Sequence, residues 1–252
     1  MAQSADERRS MVERARLAEE ASRWDDMASH MRAVVTTGRD LSVEERNLFA
    51  NAYKNYIGAK RAAWRVISGI EQKIDSSSRR RDLSKEYRIK IEEELKSSCN
   101  DVLSLIQQHL MGTLDVENQI FYLKMQGDYY RYLAEFSKNA TSDSVFDSAK
   151  VAYAQAYELA REKLSPAHPL RLGLVLNFSV FYFEILDSHD RACEMAREAV
   201  AAAGDDLSHL AEPARNDSSL IIQLMKDNVK IWSSEVDGRP PSHHHRTASR
   251  YH

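Results

Sequence analysis

Glycine and proline are scarce in this 252-residue chain, at 8 and 5 residues. Both fall well below ordinary usage. Few turn residues mean few turns and long elements, and strands average only about five to six residues, so the long elements are expected to be helices. Cysteine is scarcer still. Cys99 and Cys193 show no metal-ligand spacing and offer no disulfide framework, which suits a reducing compartment. No apolar run approaches the roughly 18 residues that a bilayer span requires. The N-terminal MAQSADERRSMVERARLAEE mixes both charges and lacks an apolar signal core. A cytoplasmic protein with no membrane insertion is expected. A basic excess is also missing: 35 Lys and Arg stand against 38 Asp and Glu, so a nucleic-acid partner is not expected. Gly-rich phosphate loops, HExxH, CxxC and GxSxG are all absent. No base, nucleophile and orienting group lie close together, and neither catalysis nor a cofactor is called for. His243, His244 and His245 sit in a polar end segment, where a solvated stretch accounts for them more simply than a metal site.

What is present is 43% hydrophobic and 29% charged residues, arranged with helical periodicity from one end to the other. Leu17, Ala21, Trp24, Ala28 and Met31 step by four, three, four, three, which predicts one face of one helix. Ser42 followed by Glu45 has capping-box spacing and predicts a helix from Val43 to about Ile74. Its apolar stripe is Phe49, Ala52, Tyr56, Ala59, Ala63, Val66 and Ile70. SSSRRR, from Ser76 to Arg81, reads as a loop. Further helices are expected over about 83–110, 117–137, 144–164, 170–186, 190–203 and 213–232. Pro166 and Pro169 bound a stiff connection. After position 234 apolar periodicity ends. The reading is an all-α chain with one helical domain, 1–234, and a disordered tail rich in His and Arg, 235–252.

Two charged stripes stand out. Lys54, Gly58, Arg61 and Arg65 step by four, three, four; Lys54 and Arg61 lie about 10 Å apart along one helix face. Lys124, Asp128, Arg131 and Glu135 repeat that spacing, with Tyr132 beside Arg131. Solvated faces with i,i+4 ion pairs account for both, at about 0.2–0.5 kcal/mol per pair. The alternative brings Lys54, Arg61 and Arg131 to one point. Asp128 alone cannot balance three cations there, and a phosphate monoester supplies about two charges and three acceptor oxygens. Arg presents a planar fork suited to phosphate, and Lys a point charge. Further along, Leu176, Asn177, Val180 and Glu184 are spaced to share one exposed strip, and Leu220, Leu224, Asn228 and Trp232 follow at four-residue steps. Ordinary core accounts for the Leu and Val residues. An Asn among apolar neighbours points instead to an amide that holds a peptide backbone.

The strings ERNLFANAYKNYIGAKRAAWRVISGIEQK, FYLKMQGDYYRYLAE, HPLRLGLVLNFSVFYFEIL and DNVKIW resemble 14-3-3 proteins, in order, from about Leu17 to Trp232. The resemblance implies a bundle of about nine antiparallel helices, a concave amphipathic groove in each subunit and a cup-shaped dimer. It implies an adaptor for phosphoserine or phosphothreonine peptides that masks, clamps or bridges its clients, with no catalysis. By motif position, Lys54, Arg61, Arg131 and Tyr132 would grip the phosphate. Asn177 and Asn228 would hold the ligand backbone. Leu176, Val180, Leu220, Leu224 and Trp232 would form an apolar wall flanked by Lys124 and Glu184. Leu17, Ala21, Asp26, Ala63, Val66, Tyr87 and Lys90 would form the dimer contact, with Asp26 and Lys90 paired across it. The partner would be a second copy or a sister isoform. A helical-repeat scaffold that binds unphosphorylated peptides is the alternative.

Three positions depart from the family pattern. Ala63 replaces a serine whose phosphorylation favours monomers in many members. Ser10 stands where an acidic residue is often found. Family tails are commonly acidic, whereas this one is rich in His and Arg, and RTAS puts Arg246 three before Ser249, so a phosphorylated Ser249 would itself suit a groove.

Overall fold

Ser42 and Glu45 begin the longest helix with reciprocal bonds. The Ser42 hydroxyl accepts from the Glu45 backbone N–H at 3.2 Å, and the Glu45 carboxylate accepts from the Ser42 N–H at 2.9 Å. Two N–H groups that a helix start would otherwise leave unpaired are satisfied, as the spacing predicts. The computed structural model describes residues 2–38, 40–112, 115–137, 142–204 and 206–236. Among them the architecture is all-α, with nine helices: α1 Ala2–Glu20, α2 Trp24–Thr36, α3 Val43–Lys73, α4 Arg79–Leu105, α5 Val116–Phe136, α6 Ser142–Lys163, α7 Pro169–Glu184, α8 His189–Ala203 and α9 Glu212–Val236. A π-helical turn, Ile106–Leu110, extends α4. The chain divides into two compact units, Met1–Thr113 and Leu114–His252.

In the first unit, α1 lies on α2, α2 on α3 and α3 on α4. Residues 74–78 alone join α3 to α4, which makes this long pair antiparallel. Met27, Met31, Val34, Phe49, Ala52, Ile57, Leu95 and Cys99 are sealed from solvent and form the core. Arg8 pins α1 across it: its guanidinium meets both Glu45 carboxylate oxygens at 2.9 Å and the Val34 carbonyl at 3.3 Å.

The structure differs from the sequence expectation at three places. The stripe from Leu17 to Met31 belongs to two helices. Ser22 turns left-handed at φ 54°, the Arg23 N–H reaches the Ala18 carbonyl at 2.8 Å, and the Ser22 N–H reaches that of Glu19 at 2.9 Å. That is a Schellman closure with serine in the place glycine usually takes. The α3 stripe is buried only in its first half. Phe49 and Ala52 are inside, whereas Ala59, Ala63 and Val66 are exposed. A strict heptad drifts about 20° per repeat around a straight helix, and the buried line runs through Arg46, Phe49, Tyr53, Ile57 and Arg61. Finally, Arg79–Arg81 are helical rather than a loop, because the Ser78 side chain caps α4 by accepting from the Arg80 N–H at 3.3 Å.

In the second unit, Asp115 caps α5 by accepting from the Asn118 N–H at 2.8 Å. α7 starts at Pro169, whose missing N–H is harmless at the first position, and His168 Nδ1 caps it from the Leu170 N–H at 3.2 Å. Against α5 lies α6, in close approach at one point. A Cβ added to Gly127 would stand 2.6 Å from the Tyr153 ring, so only glycine lets that ring sit there. α7 is buried from Leu174 to Phe181 and packs against α8 and α9. α9 runs to Val236, four residues past the expected helix end. Positions 237–252, with His243, His244, His245, Arg246 and Ser249, lie outside the described residues.

Candidate functional site

On α5, positions 124, 128, 131 and 135 fall on one side, and their charges close on one another. Asp128 is the centre. Its Oδ2 accepts from Lys124 Nζ at 2.9 Å. Its Oδ1 accepts from Arg131 Nη2 at 3.2 Å, from the Tyr153 hydroxyl at 2.5 Å and from Asn177 Nδ2 at 2.7 Å. Arg131 Nε donates to the Tyr153 oxygen at 3.0 Å. The Glu135 carboxylate lies 3.9 Å from Arg131 Nη1, and the guanidinium carbon stands 4.7 Å from the centre of the Tyr132 ring, within cation–π range.

Burial decides what this cluster is. Arg131 is 1% exposed and Asp128 8%, so the solvated-face reading does not hold for α5. Burial by itself would raise the Asp128 carboxyl. The charges of Lys124 and Arg131, with the bonds from Lys124 and Tyr153, outweigh it and hold Asp128 well below the usual carboxylate range. Burial would likewise discharge Arg131, but Tyr153, Tyr132, Asp128 and Glu135 around it keep it cationic. Burial pushes the Tyr153 phenol up, and the Asp128 charge adds to this, so the hydroxyl keeps its proton. Two of the five N–H donors of Arg131 are engaged internally. The geometry fixes a guanidinium in a dry site, where electrostatic interactions are stronger than in water.

The α7 residues do not form the exposed strip expected. Leu176 and Val180 are 2% and 7% exposed, and Asn177 is held by Asp128; only Glu184 of that set is exposed. α7 is apolar nearly all round, so periodicity alone could not tell its open side from its packed sides. On α9, Leu220 is 63% exposed, Leu224 is half-buried, and Asn228 and Trp232 are buried. Asn228 makes no side-chain hydrogen bond among the described residues. Trp232 stacks on Phe183 at 4.7 Å, which stacks on His189 at 4.3 Å. A Cβ at Gly173 would lie 3.9 Å from both Lys124 Cε and Ile221 Cδ1, so α5, α7 and α9 come together there.

In the first unit, Lys54 and Arg65 are exposed on α3 while Arg61 is buried at 5%, so a solvated face does not describe this stripe either. Leu17, Val66 and Tyr87 are 56%, 60% and 53% exposed. Ala21, Ala63 and Lys90 are exposed as well. Leu83 and Ile89 are exposed too, at 56% and 41%, and sequence reasoning passed over both. Asp26 is half-exposed and pairs with Arg23 three residues back; that hydrogen bond first, then the Arg23 charge, lowers its carboxyl against the opposing effect of desolvation.

Tyr153 and Gly127 are the other residues that sequence reasoning missed. Tyr153 falls in AYAQAYELAREKL, an Ala-rich helical stretch that gives no sign of a polar partner 25 residues earlier. Among the described residues no three His, Cys, Asp or Glu side chains are grouped to hold a metal, and no helix is long and apolar enough to cross a membrane.

Comparison with known proteins agrees over nearly the whole helical chain. The family model described as "14-3-3 protein" matches residues 14–233. The chain is 51% identical to 14-3-3 protein zeta of Bombyx mori, over 90% of this chain and 93% of that protein. It is 47% identical to 14-3-3-like protein 2 of Caenorhabditis elegans, over 92% and 94%, and 48% identical to 14-3-3 protein beta/alpha of Mus musculus, over 90% and 93%. The chain belongs to the 14-3-3 family.

Proposed function

We propose that this protein is a dimeric, cytoplasmic, non-catalytic adaptor that binds client peptides through phosphoserine or phosphothreonine. Family membership supports phosphopeptide binding and dimerisation. The observation that carries the reading for this chain is the state of Arg131: buried, cationic and held from two sides by Asp128 and Tyr153. Within α5 the cations Lys124 and Arg131 meet the carboxylates Asp128 and Glu135. Binding a dianion therefore calls on Lys54 and Arg61 as well, and Lys54, Arg61, Arg131 and Tyr132 are the proposed grip. Asn177 and Asn228 would hold the peptide backbone. Leu176, Val180, Leu220, Leu224 and Trp232 would supply apolar contacts, with Lys124 and Glu184 beside them. Residues 1–234 are proposed to act as one functional domain.

Each charge-assisted hydrogen bond to phosphate contributes roughly 1.5–3 kcal/mol, offset in part by stripping water from the ions. An unphosphorylated peptide leaves the cations unmatched, so phosphorylation is the switch. The exposed Leu17, Val66 and Tyr87, with Ala21, Asp26, Ala63 and Lys90, form the proposed contact with a second copy or a sister isoform. A dimer gives a doubly phosphorylated client two attachment points, the second binding step being intramolecular; masking, clamping or bridging of the client follows from which part of it is held. Titration calorimetry with a phosphoserine peptide before and after phosphatase treatment tests the reading. Heat of binding that survives dephosphorylation would refute it.

A further inference from the structure

Tyr153 has no place in the grip just proposed, yet it touches two of the groups around it. It is fully buried, its hydroxyl donates to Asp128 Oδ1 at 2.5 Å, and its oxygen accepts from Arg131 Nε at 3.0 Å. Its ring is fixed independently of those bonds. Gly127 leaves the space it fills, and Phe178 stacks on it at 5.2 Å, with Phe181 at 5.7 Å. A phenol clamped by its ring presents its oxygen at one point. Nε is the one guanidinium nitrogen with a single N–H, so the atom that accepts from it sets the plane of the fork.

We infer that Tyr153 is a positioning residue for phosphate recognition, whose hydroxyl bridges Asp128 and Arg131 and orients the Arg131 guanidinium before a ligand arrives. Asp128 alone does not suffice, because its contact with Nη2 is the longer one at 3.2 Å and its Oδ1 is shared with Asn177. Without the hydroxyl, Arg131 Nε–H faces a dry site with no acceptor, and the fork turns to find one. The two ends of the ligand also become linked, since Asp128 orders both Arg131 and the Asn177 amide. The inference rests on the phosphate reading for its functional meaning, but not for the orientation itself.

The test uses full-length Tyr153→Phe protein, which keeps the ring and its packing. Affinity for a phosphoserine peptide should fall about tenfold or more. In wild-type complexes, 31P NMR titration should place the second pKa of the bound phosphate below its ordinary value of about 6, because the cations favour the dianion. In Tyr153→Phe complexes it should move back towards that value. Loss of packing alone does not shift it, so Phe178→Leu should lower the Tm and leave the phosphate pKa in place. In unliganded wild-type protein the Arg131 Nε–H resonance, assigned by its loss in Arg131→Lys, should exchange slowly with water. Fast exchange there overturns the inference whether or not any variant folds, and so does Tyr153→Phe binding with wild-type affinity and an unchanged phosphate pKa. If wild-type protein binds phosphorylated and unphosphorylated peptides alike, the functional reading fails instead, and the resonance still decides the role of Tyr153.

Discussion

Asp128 Oδ1 accepts the Asn177 amide at 2.7 Å, so the carboxylate that balances the cations of α5 also fixes a side chain on α7. The amide nitrogen is turned towards Asp128, and the amide oxygen therefore points away from it. Asn177→Ala should weaken phosphopeptide binding while also leaving Asp128 with one donor fewer. A change to Asp in place of Asn177 should be worse, because two carboxylates would then compete for Arg131. Peptide affinities of the two variants, ranked against wild type, check this order.

The same carboxylate sets a pH dependence. Asp128 titrates well below its unfolded value of about 3.9. Its stabilising contribution is therefore complete above that value and is lost as pH falls through the folded pKa. The difference in Tm between wild type and Asp128→Asn should be flat from pH 7 to about 5 and should shrink below about 4. Removing the charge leaves Arg131 and Lys124 short of a buried counterion, with an expected loss of about 3–5 kcal/mol near neutral pH. A difference that widens on acidification contradicts the assignment.

Gly127→Ala places a methyl group 2.6 Å from the Tyr153 ring. The ring cannot swing aside without losing its bonds to Asp128 and Arg131. Overpacking of this kind costs about 1–3 kcal/mol, and thermal unfolding should register it. Gly58→Ala on α3 meets nothing within 4 Å and should leave the fold intact, which makes it the matched control.

Much of the helical layout was legible because local chemistry decides it. Ser42 and Glu45 announce the start of α3, and Pro169 bounds the connection that leads into α7. The Leu17–Met31 stripe misled, because the chain reverses at Ser22 without a glycine to mark it, and the two short helices happen to continue one periodicity. The charged stripes were legible as spacing, but their burial was not. Nothing local to Arg61 or Arg131 distinguishes a sealed guanidinium from a solvated one, since that depends on what other helices lay over them. Tyr153 was invisible for the same reason: its partners Asp128 and Arg131 are 25 and 22 residues away on a different helix.

The exposed apolar residues of the first unit lead to an association prediction. Leu17 and Val66 are more than half exposed, and both belong to the proposed contact with a second copy. Leu17→Glu with Val66→Glu should convert a dimer into a monomer in sedimentation velocity, with little change in helix content. Because Ala63 has no hydroxyl, kinase treatment should not dissociate the wild-type dimer through that position. A double variant that still sediments as a dimer places the contact elsewhere.

The most direct measurement is fluorescence-polarisation binding of an Arg-Ser-x-phosphoserine-x-Pro peptide and its unphosphorylated twin to wild-type and Lys54→Glu protein. Lys54 is exposed, so reversing its charge should leave the fold unchanged. Only the phosphopeptide should bind wild type, and Lys54→Glu should lower that affinity at least about 100-fold, the scale of a lost charge-assisted contact compounded by repulsion. Equal binding of the two peptides, or full affinity in Lys54→Glu, would contradict the phosphate reading.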